Sequence, residues 1–312
     1  MSLEQYLESL ADDERPLRNA DLMQLSDLTS EDLRLVASVW RDIDAGRRRD
    51  LLVRLIDLSE ENLEAEFSDL FRHCLGDENP EVRAKAIEGL WECDERTLVT
   101  PLIALLGQDP FEEVRAAAAT ALGKFALLSQ TGKLLQKDRD RIKQSLMRSV
   151  LDGDETLSVR RRAMEAVAPF NTDDVQSVIQ DAYRSPVKGM RCSAVYAMGK
   201  SCDSRWLPTI LAELQNTDAA MRYEASNACG ELGEEPAVPH LIPLFEDDDH
   251  LTQISAITAV GNIGGNLARK ALLRCIKSAD DVASEAAQEA LDNLDASERT
   301  FDTDPYAPRS AR

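Results

Sequence analysis

The side chains able to do nucleophilic, acid–base or metal chemistry are few and scattered. Of 312 residues only three are histidines, His73, His240 and His250, and they are followed by Cys, Leu and Leu. They stand in separate segments, so no spacing places two imidazoles, or an imidazole and a carboxylate, ready to share a metal ion. The six cysteines, Cys74, Cys93, Cys192, Cys202, Cys229 and Cys275, include no C-x-x-C pair. They are expected to be reduced thiols, most of them small packing residues. The run Asp247-Asp248-Asp249 suggests calcium, but the D-x-[DN]-x-[DN]-G loop with its later Glu is missing. Turn capping and solubility account better for it and for the acidic runs at 12–14 and 231–235. No nucleophile stands beside a base and no glycine loop could cradle phosphate. Catalytic, cofactor and metal residues are therefore expected to be absent, and the chain to be non-enzymatic.

Charge narrows the partners. With 36 basic and 57 acidic side chains the formal charge is −21, which repels a phosphate backbone and removes the counterion-release contribution to nucleic-acid affinity. No run approaches the roughly 20 apolar residues that span a bilayer. Residues 1–14 lack a basic region followed by an apolar core, so a cytoplasmic location is expected, with neither nucleic acid nor membrane as partner.

The elements that would position any site announce themselves by repetition. Val82, Val114, Val159, Met190, Met221, Thr252 and Ala283 are equivalent, at spacings of 32, 45, 31, 31, 31 and 31. Four residues after each stands alanine: Ala86, Ala118, Ala163, Ala194, Ala225, Ala256 and Ala287. Seven after come Gly89, Ala121, Ala166, Ala197, Ala228, Ala259 and Ala290, and eight after another mostly apolar column, Leu90 to Leu291. Offsets 0, 4, 7 and 8 share one face of a helix, and small residues there let a neighbouring helix come close. Glycines at offset 9 (Gly123, Gly199, Gly230, Gly261) predict left-handed helix ends.

Five residues before each anchor lies a turn column, Asp77, Asp109, Asp154, Ser185, Asn216, Asp247 and Ser278, and one residue after it Arg83, Arg115, Arg160, Arg191 and Arg222. The two columns predict a ladder in which each arginine bonds the turn of its own or the adjacent repeat. Upstream apolar pairs one helical turn apart, such as Ile210/Leu214 and Leu241/Phe245, give each unit a first helix. Prolines Pro208 and Pro239 open two of these, where a missing N–H costs nothing. Neither helix of a pair buries its apolar face alone, so the units must stack.

The combination of a turn Asp, Val-Arg and Ala-x-x-Ala-Leu-Gly resembles the HEAT-repeat family in its short bacterial form, first noted in phycobilin lyases. Asp109-Pro110, Val114-Arg115, Ala118 and Ala121-Leu122-Gly123 carry the fullest match. The resemblance covers about residues 65–295, with a degenerate first pair at 29–58. It implies an all-α fold, a right-handed α-solenoid or armadillo-like superhelix of stacked antiparallel helix pairs. Residues 1–28 read as an N-terminal cap, 29–296 as the array and 297–312, with Pro305 and Pro308, as a disordered tail. Deoxyhypusine hydroxylase is similar in outline, but the His-Glu pairs with which that enzyme binds di-iron are missing here. Alkylpurine DNA glycosylases of this type use a basic groove, in conflict with the acidic charge.

Departures from the repeat mark the candidate surfaces. The spacing of 45 exceeds the regular period by 14 residues, around 129–141, with Lys133, Lys137, Arg139, Arg141 and Lys143. A longer solvated helix or loop and a docking element both fit. Two basic runs, Arg47-Arg48-Arg49 and Arg160-Arg161-Arg162, read mainly as solvated helix faces. If second helices line the concave side, offsets 2, 3 and 6 present Arg161, Arg162, Glu165, Tyr196, Tyr223, Asn227, Ile254 and Thr258 to a partner. Tyr196 and Tyr223 either bind it or pack between repeats. The expected function is a scaffold or adaptor without cofactor that binds another protein along this face, its oligomeric state left open with a monomer favoured. The alternative is a lyase- or chaperone-like factor acting on a chromophore or cofactor protein.

Overall fold

The computed structural model describes residues 3–10, 12, 15–62, 64–278 and 280–303, with side chains as far as 296. The chain divides into two compact units, Met1–Val167 and Ala168–Arg312. Among the described residues all regular structure is helical.

In the first unit α1 (Leu3–Leu10) and α2 (Asn19–Leu22) precede the pair α3 (Ser30–Val39) and α4 (Ala45–Glu61). Then come the pairs α5 (Ser68–Cys74) with α6 (Pro80–Gly89), α7 (Val99–Gln108) with α8 (Glu112–Gln130), and α9 (Gln136–Leu151) with α10 (Leu157–Val167). Local chemistry sets the boundaries. Thr29 and Asp32 form a reciprocal capping box that starts α3. Asn79 accepts from the N–H groups of Glu81 and Val82, and Pro80 supplies the first turn of α6. The N-terminal segment buries Tyr6, Leu7, Leu10, Leu22, Leu25 and Leu28. Arg47 holds its backbone, donating to the carbonyls of Leu10 (2.6 Å) and Arg15 (2.7 Å).

The second unit contains α11 (Asp173–Tyr183) with α12 (Lys188–Lys200), α13 (Leu207–Glu213) with α14 (Ala219–Leu232), α15 (Val238–Leu241) with α16 (His250–Ile263), and α17 (Gly265–Cys275) with α18 (Asp281–Thr303). A 3-10 turn over Ile242–Glu246 prolongs α15. Helix α18 runs on past Ala296, where the array was expected to end; the rest of the expected tail, 304–312, lies outside the described residues.

The alanine column is the spine of both units. Ala86, Ala118, Ala163, Ala194, Ala225, Ala256 and Ala287 are all fully buried. The glycines at offset 9 correct the sequence expectation. None has a positive φ; the left-handed glycines are Gly132, Gly233, Gly264 and Gly265. A Cβ on Gly199 would fall 2.6 Å from the Ala228 Cα, one on Gly230 3.0 Å from the Ala259 Cα, and one on Gly261 2.8 Å from the Ala290 Cβ. These glycines lie inside helices and let one repeat's second helix close onto the small offset-7 residue of the next.

The extra residues before Val159 form no loop of their own size. They lengthen α8 to 19 residues and α9 to 16, with a short turn between. Lys133 and Lys137 are exposed there, but Asp138 is buried and accepts from Arg96 at 2.8 Å. That hydrogen bond holds the Asp138 carboxyl below the usual carboxylate range.

Candidate functional site

The arginine and turn columns meet as a set of clamps. Arg83 donates through Nη1 to the Asp77 carbonyl of its own turn (2.7 Å) and through Nε and Nη2 to both oxygens of Asp109 in the next (2.8 Å each). Arg222 repeats this geometry with the Asn216 carbonyl (2.9 Å) and Asp247 (2.7 Å), and its guanidinium holds the Asp247 carboxyl below the ordinary range. Arg115 grips the Asp109 carbonyl, but its carboxylate partner is Glu155, not Asp154 of the column; Asp154 is exposed. Burial pushes the Glu155 carboxyl up, and the hydrogen bonds from Arg115 and the Thr156 N–H bring it below its ordinary value. Arg191 reaches only the carbonyls of Ser185 and Pro186, since Asn216 offers no carboxylate, and Arg160 turns back to the Val150 carbonyl. Gln253 takes the arginine's place later, joining the Phe245 carbonyl to Asp280. Both ends of each full clamp are backbone or carboxylate of the repeat array, so these residues register one repeat on the next.

The degenerate first pair takes part through Arg48, which sequence reasoning left on a solvated face. Arg48 is 2% exposed. It stands 3.5 Å from Asp77, which also accepts from Trp40 Nε1 at 2.7 Å. A basic residue in a run of three gives no sign that one member points inward; only the clamp register, extended upstream, could have found it.

The predicted partner-binding residues divide between the units. In the first, Arg162 pairs with Glu165 at 2.8 Å, and Arg161 is half-buried. In the second, Tyr196, Asn227 and Thr258 meet around a small groove of about 130 Å³ shared with Lys200 and Glu231. The Lys200 ammonium lies 5.7 Å from the Tyr196 ring centroid and pairs with Glu231 at 2.5 Å. Tyr223 stands outside this groove with its ring exposed. Ser255 ties α16 to α14, donating to Asn227 Oδ1 (2.8 Å) and the Tyr223 carbonyl (3.3 Å). Ile254 is half-buried beside it.

A larger feature lies on the same helix face in the first unit. Ala84, Lys85 and Glu88 of α6 and Ala117 and Thr120 of α8 border a groove of about 580 Å³ floored by Ile87, Leu90, Leu98, Leu102 and Phe125. Trp91 stands over it, 51% exposed. Its carbonyl accepts from Lys124 Nζ at 2.8 Å, and burial lowers the pKa of that lysine. Trp91 occupies offset 9, where Gly123, Gly199, Gly230 and Gly261 bring other repeats together. An aromatic in a glycine column was the available signal.

The histidines do not assemble a metal centre. His73 sits edge-on to Trp40, with ring centroids 6.4 Å apart, and His250 Nδ1 lies 3.3 Å from Gln253 Oε1. Among the described residues no three His, Cys, Asp or Glu side chains are grouped to hold a metal ion. No helix of the described residues is long and apolar enough to cross a membrane.

Comparison with known proteins gives relatives named deoxyhypusine hydroxylase. One, from Candida albicans, is 21% identical over 57% of this chain and 63% of its own length; another, from Cryptococcus neoformans, is 25% identical over 38% and 34%. The chain spans less than two thirds of the length of either. Their shared name is that of an enzyme, which overturns the expectation of a non-enzymatic protein. A solved complex of CpcE and CpcF of phycocyanin lyase from Nostoc has the same fold, with a TM-score of 0.56 at 18% identity over 90% of this chain and 98% of that one. A profile of HEAT repeats matches residues 68–146 and 207–292, more than half of the sequence. The registered helix pairs and the profile lead to one conclusion: this chain belongs to the HEAT-repeat family.

Proposed function

We propose that the chain binds a polypeptide partner on the outward faces of its second helices, with the Trp91 groove of the first unit as anchor. One observation carries this: a tryptophan 51% exposed stands over an apolar groove that the fold leaves open. Partly exposed aromatics over apolar floors are where binding energy concentrates, because a rigid ring buries a large area at small entropic cost. Tyr196, Tyr223, Asn227, Ile254 and Thr258 form a further contact surface in the second unit. Arg161, Arg162 and Glu165 add a charged one in the first.

The test is site-specific photo-cross-linking in the native host. A benzophenone side chain at position 91 should trap one defined protein, while the same group at Leu151, 64% exposed but away from the groove, should not. Equal trapping at both positions would remove the groove from the proposal. A second reading, an enzymatic activity like that of the fungal relatives, is supported by their names and matches. Assay of the purified chain for deoxyhypusine hydroxylation decides it.

A further inference from the structure

The second unit carries a basic surface that neither the repeat clamps nor the Trp91 groove uses. Lys270, Arg274 and Lys277 follow one another at i, i+4 and i+7 along and just beyond α17, so they share a face. All three are exposed, and among the described residues none has an ion pair or hydrogen bond through its side chain. In a chain of net charge −21 that is unusual company to leave unpaired; their neighbour Arg269 pairs with Asp295 at 2.6 Å. The three cations border a groove of about 920 Å³ whose floor includes Ile242, Phe245 and Leu267, the last 48% exposed. Attraction to the helix C-terminus accounts for Arg274 and Lys277. It accounts neither for Lys270, a full turn earlier, nor for the apolar floor.

We propose that this groove binds an amphipathic helix of a partner protein, with acidic residues along one edge of its apolar stripe. The charge pattern selects that occupant. The acidic turn residues Glu246, Asp247 and Asp248 line the same groove and repel a small free anion. Of these Asp247 is already committed to Arg222, and Asp280 accepts from Gln253 and caps α18. A helix acidic on one edge alone lays that edge on Lys270, Arg274 and Lys277 and its apolar stripe on the floor. The site lies in a different unit from the Trp91 groove, so each proposal stands or falls separately.

The experiment measures fluorescence anisotropy of the full chain with two labelled helical peptides, each with a leucine stripe edged on one side by glutamates or by lysines. The Glu-edged peptide should bind more tightly and weaken as salt rises from about 0.05 to about 0.5 M. K270E/R274E/K277E should weaken it by about tenfold or more and favour the Lys-edged peptide instead. Leu267→Asp, which leaves the three cations in place, should also weaken it, whereas Leu151→Ala, exposed and outside both grooves, should bind as the wild type does. Unchanged melting temperatures certify that the variants fold. Equal affinity for both peptides, or an unchanged affinity in the triple variant, overturns the proposal. So does binding of tripolyphosphate without peptide binding, or self-association that the triple variant abolishes.

Discussion

Asp109→Ala is the sharpest probe of how the repeats are held in register. In the folded chain Asp109 receives two hydrogen bonds from Arg83 at 2.8 Å, with side-chain exposures of 10% for the arginine and 4% for the aspartate. Removing the carboxylate leaves the guanidinium buried, with the Asp77 and Glu78 carbonyls and the Phe111 ring as its remaining neighbours. Breaking a buried pair in this way costs about 3–5 kcal/mol, because one charge stays desolvated without its counter-charge. Asp109 Oδ1 also accepts from the Phe111 N–H at 3.0 Å, at the start of α8, worth about 1 kcal/mol more. For a unit of this size each kcal/mol moves the midpoint by about 2–4 °C, so a combined loss of about 4–6 kcal/mol predicts a fall of roughly 8–24 °C in the first unit's transition. Differential scanning calorimetry reads it. Glu81→Ala is the control: its partner Arg49 is 42% exposed, and such a pair contributes about 0–1 kcal/mol. The double variant Arg83→Met/Asp109→Ala should regain most of the charge-related loss while keeping the turn defect. If Asp109→Ala melts with Glu81→Ala, the clamp is not what registers these repeats.

Two further outcomes follow from the same structure. Gly199→Ala should destabilise the second unit by about 1–3 kcal/mol, since the new Cβ meets the Ala228 backbone at 2.6 Å; Gly107→Ala, with nothing within 4 Å, should be neutral or stabilise by up to about 1 kcal/mol, both read from guanidinium midpoints. The Asp247 carboxyl is held below its ordinary value by Arg222, so that pair's contribution is fully present above about pH 4 and lost as pH falls through the depressed folded value. The melting-temperature gap between wild type and Arg222→Met should therefore narrow from about pH 4 to about pH 2, and a constant gap would show the arginine acting only through packing and its bond to the Asn216 carbonyl.

Much of the fold was legible from residue spacing because a stacked repeat writes the same physical demand into every unit. A helix that must touch two neighbours needs a small residue at one offset, and alanine stands there seven times, fully buried each time. The clamps were legible in part. Columns six apart predict that arginine can reach its own turn, but not that Glu155 replaces Asp154 or that Arg48 extends the series into the degenerate pair. Those depend on which side chain the tertiary packing turns inward, and neighbours in a basic or acidic run look alike in sequence. The glycines at offset 9 were misjudged for a related reason: helix ending and helix approach both favour glycine, and only the position of Ala228, Ala259 or Ala290 against it tells them apart.

The surfaces lay furthest from sequence. Spacing along the chain identified seven equivalent anchors and, by offset, a candidate outward face for each second helix. It could not say that this face closes to about 130 Å³ between Tyr196 and Thr258 but opens to about 580 Å³ beside Trp91. Nor could it show Lys270, Arg274 and Lys277, along and just beyond α17, standing unpaired over an apolar floor while Arg269 next to them is paired. Periodicity is a property of one helix and survives in its sequence; a groove is a distance between two helices, set by how closely their side chains let them pack.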